Sequence, residues 1–156
     1  MDLVLGVIDM PYVDEGGVTT GQVAGFLEKK YGVMEHFAEI HQADIQKALA
    51  DSVADAITSI TAGAPLSLDP FGDACDEIKA LFSSFIERKE LDGRVDGVPT
   101  EASLKGVSKR FKRKRGPVRP SFLDSTLYET SMKVWTEDSG AAQRADAAAP
   151  SEVAAP

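Results

Sequence analysis

The chain has 156 residues, with 17 lysines and arginines against 25 aspartates and glutamates for a formal charge of −8, and 43% of it is apolar; this is the profile of one globular domain that buries roughly two thirds of its unfolded surface. A single cysteine and two histidines exclude an intrachain disulfide framework and a zinc cluster. No apolar run approaches the roughly 20 residues of a membrane-spanning helix, and Met1-Asp2-Leu3 lacks the basic opening of a secretory signal, so synthesis and residence in a cytoplasm are expected.

Residues Leu3 to Tyr12 are rich in β-branched and apolar types and predict one short strand or extended arm within an N-terminal segment 1–18. Asp14-Glu15-Gly16-Gly17 reads as a loop. Thr19 with Gln22 three positions on forms a capping box, so a helix is expected from there, with Val23, Phe26, Leu27 and Tyr31 on one face and Gly32 as its stop or kink. From Val33 to about Ala62 the positions Phe37, Ile40, Ile45, Leu49, Val53, Ile57 and Ile60 predict one long amphipathic helix, on the order of 45 Å. Gly63-Ala64-Pro65 ends it. Asp69-Pro70 then supplies a cap and a first-turn proline for another helix, buried through Ile78, Leu81, Phe82, Phe85 and Ile86.

Asp92 to Pro99 is a turn-rich connector, and Leu104, Val107 and Phe111 suggest a short helix from Thr100. The charge anomaly begins here. Lys105, Lys109, Arg110, Lys112, Arg113, Lys114, Arg115 and Arg119 place eight of the 17 basic residues in one acid-free stretch, a basic Pro/Gly loop closed by Gly116-Pro117-Val118-Arg119-Pro120. A last helix is expected with Leu127, Tyr128, Ser131, Val134 and Trp135 on its buried side, capped by Asp124 or Ser125 and preceded by Phe122 and Leu123. Tyr128, Met132 and Trp135 would then form an apolar flank suited to docking. The alanine- and proline-rich residues 139–156 carry almost no large apolar side chain and are expected to be a disordered tail behind a helical domain spanning 19–138. The fold expected is therefore mainly α: a short N-terminal strand or arm, a long central amphipathic helix packed with shorter helices, and a basic loop.

Chemistry has few candidate sites. His36 and His41 frame Glu39 in a pattern close to a metalloprotease signature, but histidines five apart point about 140° away from each other on a helix, so no metal site is assigned. Gly16 to Gly21 precedes a helix without a phosphate-loop ending. Cys75 lies near a helix start, where a thiol's pKa can fall, yet no base accompanies it; a structural thiol is expected. No catalytic residue, cofactor or small-molecule substrate is therefore assigned, and enzyme function is not expected. The cations of the loop fit either an acidic protein surface, such as the acidic segment 1–101 of a neighbouring subunit, or nucleic-acid phosphates, with Phe111 the one aromatic inside the run. A solvated loop is the third reading.

The stretch from Arg119 and Pro120 through Phe122, Asp124, Leu127 and Tyr128 to Ser131 resembles a signature of tailed-bacteriophage head–tail neck and tail-completion proteins. In that signature a basic stretch with proline precedes an apolar pair, an aspartate, a small-residue turn and a helix that opens on leucine and carries a serine four residues later. The upstream layout, an extended arm followed by Thr-Thr-Gly opening a helix and then a long acidic helix, is similar to small phage virion proteins of this type. The resemblance implies a non-enzymatic structural or assembly protein of a tailed phage particle at the neck or tail. It would be made in the bacterial cytoplasm, reside in the virion, and be partnered by other phage structural subunits in a homo-oligomeric ring. The alternative is a nucleic-acid-binding accessory protein using the basic loop 105–119.

Overall fold

A computed structural model describes residues 2–11, 17–65, 67, 69–107, 115–123 and 127–137. In chain order these form β1 (Asp2–Val7), α1 (Thr20–Tyr31), α2 (Val33–Ile40), α3 (Gln42–Thr61), α4 (Gly72–Glu87), α5 (Glu101–Lys105), α6 (Leu127–Ser131) and β2 (Met132–Glu137). The protein is mainly helical, with a short N-terminal strand and a long helix packed against shorter ones. The expected tail 139–156 and the expected cap at Asp124 or Ser125 lie outside the described residues.

The capping box at α1 forms in both directions: the Gln22 amide N–H donates to Thr19 Oγ1, and the Thr19 N–H donates to Gln22 Oε1, each at 3.3 Å. Thr20, fully buried, ties the start of α1 to the end of β1, its hydroxyl donating to Ile8 O at 2.6 Å and accepting from Met10 N–H at 2.8 Å. Gly32 stops α1 in the left-handed conformation (φ 58°), which only glycine adopts without penalty. Its successor helix is capped from outside: the Glu28 carboxylate accepts from the N–H groups of Met34 and Glu35 at 2.8 and 3.0 Å, satisfying donors left open at the start of α2.

The single long helix expected over 33–62 is two helices. The break is His41 (φ −102°, ψ 19°), whose ring packs on Phe37 and Phe85 while its two nitrogens face the carboxylates of Asp44 and Glu90. Side-chain bonding across the chain holds the bend there. The expected apolar stripe also divides. Phe37 and Ile45 are buried and Ile40 and Leu49 half-buried, but Val53, Ile57 and Ile60 are 43–57% exposed, because α3 meets α4 through the small residues Ala48 and Ser52 on an adjacent face. Beyond Ser52 the helix runs past its support.

α4 opens at Gly72 rather than Pro70, and its N-cap residue Phe71 offers no side-chain acceptor. Its buried stripe is Ala74, Ile78, Phe82, Phe85 and Ile86, with Leu81 at the margin. Phe37 sits edge-on to Phe82 (5.2 Å, 88°) and against Phe85 (5.4 Å, 60°), so the core is an aromatic cluster between α2 and α4, joined by Tyr128. Residues 88–100 form turns that still bury Leu91 and Val98.

The last expected helix is corrected as well: α6 ends at Ser131 and the chain continues as β2, antiparallel to β1, with Leu3, Leu5 and Val7 opposite Thr136, Val134 and Met132. Tyr128, Ser131 and Val134 satisfy helical spacing, but from Met132 onward burial alternates, with Met132 and Val134 against the core and Lys133 out. β-branched Val134 and Thr136 flanking Trp135 suit a strand. The N-terminal segment is therefore integrated into its own domain through β1, and the Tyr128–Met132 flank proposed for docking faces inward, with only Trp135 half-exposed.

Candidate interaction site

The basic stretch begins on α5, whose N-cap Thr100 accepts from Ser103 N–H at 3.2 Å. Lys105 in its last turn pairs with Glu101 one turn back, and that contact holds the Glu101 carboxyl below its usual pKa. Gly106 then ends the helix with φ 60° while lying against the backbone of Gly116, so that a Cβ at Gly106 would overlap the Gly116 carbonyl. Gly116 N–H donates to Lys105 O and Arg119 N–H to Ser103 O, each at 3.2 Å. The two described ends of the loop are thus clamped side by side. Arg115 is exposed; Lys109, Arg110, Lys112, Arg113 and Lys114 lie outside the described residues.

Unlike the exposed Lys105 and Arg115, Arg119 is half-buried and bonded to main chain, donating from Nη1 to Leu123 O at 2.6 Å and from Nη2 to Val107 O at 2.9 Å. The described residues of the stretch that it opens mostly turn inward. Pro120 is half-buried; Ser121, buried, accepts from Thr100 N–H at 3.0 Å and shares a hydroxyl contact with Ser103 at 3.1 Å. Phe122 takes a left-handed backbone (φ 69°) that brings its ring to Tyr31, 5.2 Å between centroids. Leu127 opens α6, Tyr128 is buried against Phe82, and the fully buried Ser131 donates to Tyr128 O at 2.9 Å. Asp124 lies outside the described residues.

The two histidines serve separate partners: His36 Nδ1 meets Glu39 at 3.2 Å, while His41 Nδ1 meets Asp44 at 3.0 Å and Nε2 meets Glu90 at 3.1 Å. Among the described residues, no group of three or more His, Cys, Asp or Glu side chains is arranged to hold a metal ion. Burial, reinforced by Asp69 and Asp76, pushes the Cys75 thiol above its usual pKa, opposite to the lowering that a helix start can cause. One polar site escaped the sequence reading. Asp9 accepts from Thr19 and from Gly21 N–H at 2.9 Å, and these bonds hold its carboxyl below the usual range at the start of α1. No local signal marks it, since its partners lie ten or more positions away.

No helix among the described residues is long and apolar enough to cross a membrane. No family model matches the chain, and no curated protein or solved structure shows significant similarity to it.

Proposed function

We propose that this chain is a non-enzymatic structural or assembly subunit of a tailed-phage particle, at the head–tail neck or tail, working with other particle subunits in a ring. The observation that carries the reading is the Arg119–Ser131 stretch, whose order of basic, apolar, small and helical residues is similar to the neck and tail-completion signature. The loop 105–119 supplies a contact surface of matching kind: its cations are segregated from a remainder with nine bases and 25 acids, so an acidic flank of a neighbouring subunit complements it. Quantitative mass spectrometry of particles sedimented from a producing culture tests the reading. A fixed low ratio to the major capsid protein, about a ring's worth per particle, is expected; absence from particles while abundant in the lysate rejects it.

The second reading, a nucleic-acid-binding accessory protein, rests on the eight acid-free cations alone. Titration against duplex DNA at two salt concentrations separates the two, because phosphate contacts lose affinity steeply as salt rises.

A further inference from the structure

The sheet is a two-stranded ribbon, so among the described residues β2 is paired along one edge only. Which groups face the other edge follows from the register. Ile8 N–H donates to Ser131 O at 2.8 Å, which makes Ile8 and Ser131 a hydrogen-bonded pair; along the same antiparallel register the bonded pairs are then Gly6–Lys133, Val4–Trp135 and Asp2–Glu137. The amide and carbonyl groups of Val134 and Thr136 consequently point away from β1.

They open on a cleft of about 590 Å³ between β2 and the flank of α4, walled by Gly72, Cys75 and Lys79 on one side and by Val134, Trp135 and Thr136 on the other. The chemistry of this edge names its occupant. Alternating donors and acceptors spaced along a strand are matched by another extended backbone, and by neither a helix nor a compact small molecule. Since α4 stands beside the edge, a folded domain carrying its own covering helix is obstructed, while a single extended segment has room. The walls carry Asp69 and Asp76 against Lys79 and Lys133, so their charges balance and an uncharged segment is favoured.

We propose that this cleft is a strand-addition site that takes an uncharged, extended segment of another polypeptide, hydrogen-bonded to the main chain of Val134 and Thr136. The site stands independently of the phage reading. Trp135 and Cys75 are the only tryptophan and the only cysteine of the chain, and both line the cleft, so the full-length protein carries its own reporters. The probe is the end-capped hexapeptide Thr-Val-Thr-Val-Thr-Val, titrated while Trp135 fluorescence and the rate of Cys75 alkylation by iodoacetamide are followed.

Saturable binding that changes the fluorescence and slows alkylation several-fold is expected. Thr136→Pro removes an outward donor without touching a bond to β1, and should weaken binding about tenfold, the effect of one hydrogen bond, with circular dichroism and melting temperature kept. Cys75→Phe, which narrows the cleft from the α4 wall and leaves the edge intact, should weaken binding several-fold and serves should the proline variant not fold. Unaltered alkylation at millimolar peptide overturns the proposal, including the case in which the chain's own C-terminal segment already fills the cleft. Equal binding by folded Thr136→Pro, or by folded Cys75→Phe, overturns it too.

Discussion

Arg119 directs its guanidinium to two main-chain oxygens, Leu123 O and Val107 O, which joins the exit of the basic loop to its entrance. Bonds from a charged donor each contribute about 1.5–3 kcal/mol when half-buried partners would otherwise lose them. Arg119→Met, which keeps the length and removes both donors, should therefore destabilise the fold by at least about 3 kcal/mol, a fall in melting temperature of about 9 °C for a chain of this size. A cation that served only an external partner would leave the melting temperature unmoved, so thermal denaturation separates the two roles. Asp9 gives a second prediction, in pH. Its carboxyl is held below its usual value of 3.8 by Thr19 and Gly21, so the folded state binds this proton less readily than the unfolded chain does. The stabilisation is present above about pH 4 and is lost as pH falls through the depressed folded value. Asp9→Asn should lower the melting temperature at pH 7, and the gap to the unaltered protein should close in melts recorded progressively below pH 4.

Among the elements, β1 carries the sharpest test, because an extended N-terminal segment is legible in the sequence while its partner is not. Leu5 lies opposite Val134 and packs on the core; Leu5→Asp places a charge there and should cost at least about 2 kcal/mol, measured by denaturant unfolding. A free arm would tolerate the change. The readable elements are those specified by neighbours in sequence. The Thr19–Gln22 box, the Gly32 stop and the α4 stripe all rest on contacts within a turn or two, and all appear in the fold. The misread ones are set at long range. The bend at His41 depends on Glu90, 49 positions later, and β2 is a strand because β1, more than 120 residues earlier, pairs with it. The start of α4 also differs from the reading, since the helix begins three residues after Asp69 with Phe71, which has no side-chain acceptor, at its cap.

For the whole molecule the decisive property is the division of charge between one cationic loop and an acidic remainder. The loop's stem is closed by the main-chain bonds Gly116–Lys105 and Arg119–Ser103 and by the contact of Gly106 with Gly116, none of which involves the side chains of Lys109, Arg110, Lys112 or Arg113. Reversing those four to glutamate takes the formal charge from −8 to −16, two charges at each position, and places like charge wherever the loop meets an acidic surface or phosphate. Like-charge juxtaposition at an interface costs several kcal/mol, enough to prevent the stable incorporation that the proposed function requires. The expected outcome is a variant with unchanged helicity and melting temperature that no longer co-sediments with particles. If circular dichroism shows helix loss instead, those side chains belong to the fold, and the loop is not a contact surface. If co-sedimentation survives with the fold intact, the charge division does not direct assembly, and the acidic partner surface is excluded. DNA binding measured on the same variant then separates the remaining readings: a loop that contacts several phosphates loses a log-salt slope of about 0.9 for each contact removed, whereas a solvated loop shows no slope to lose.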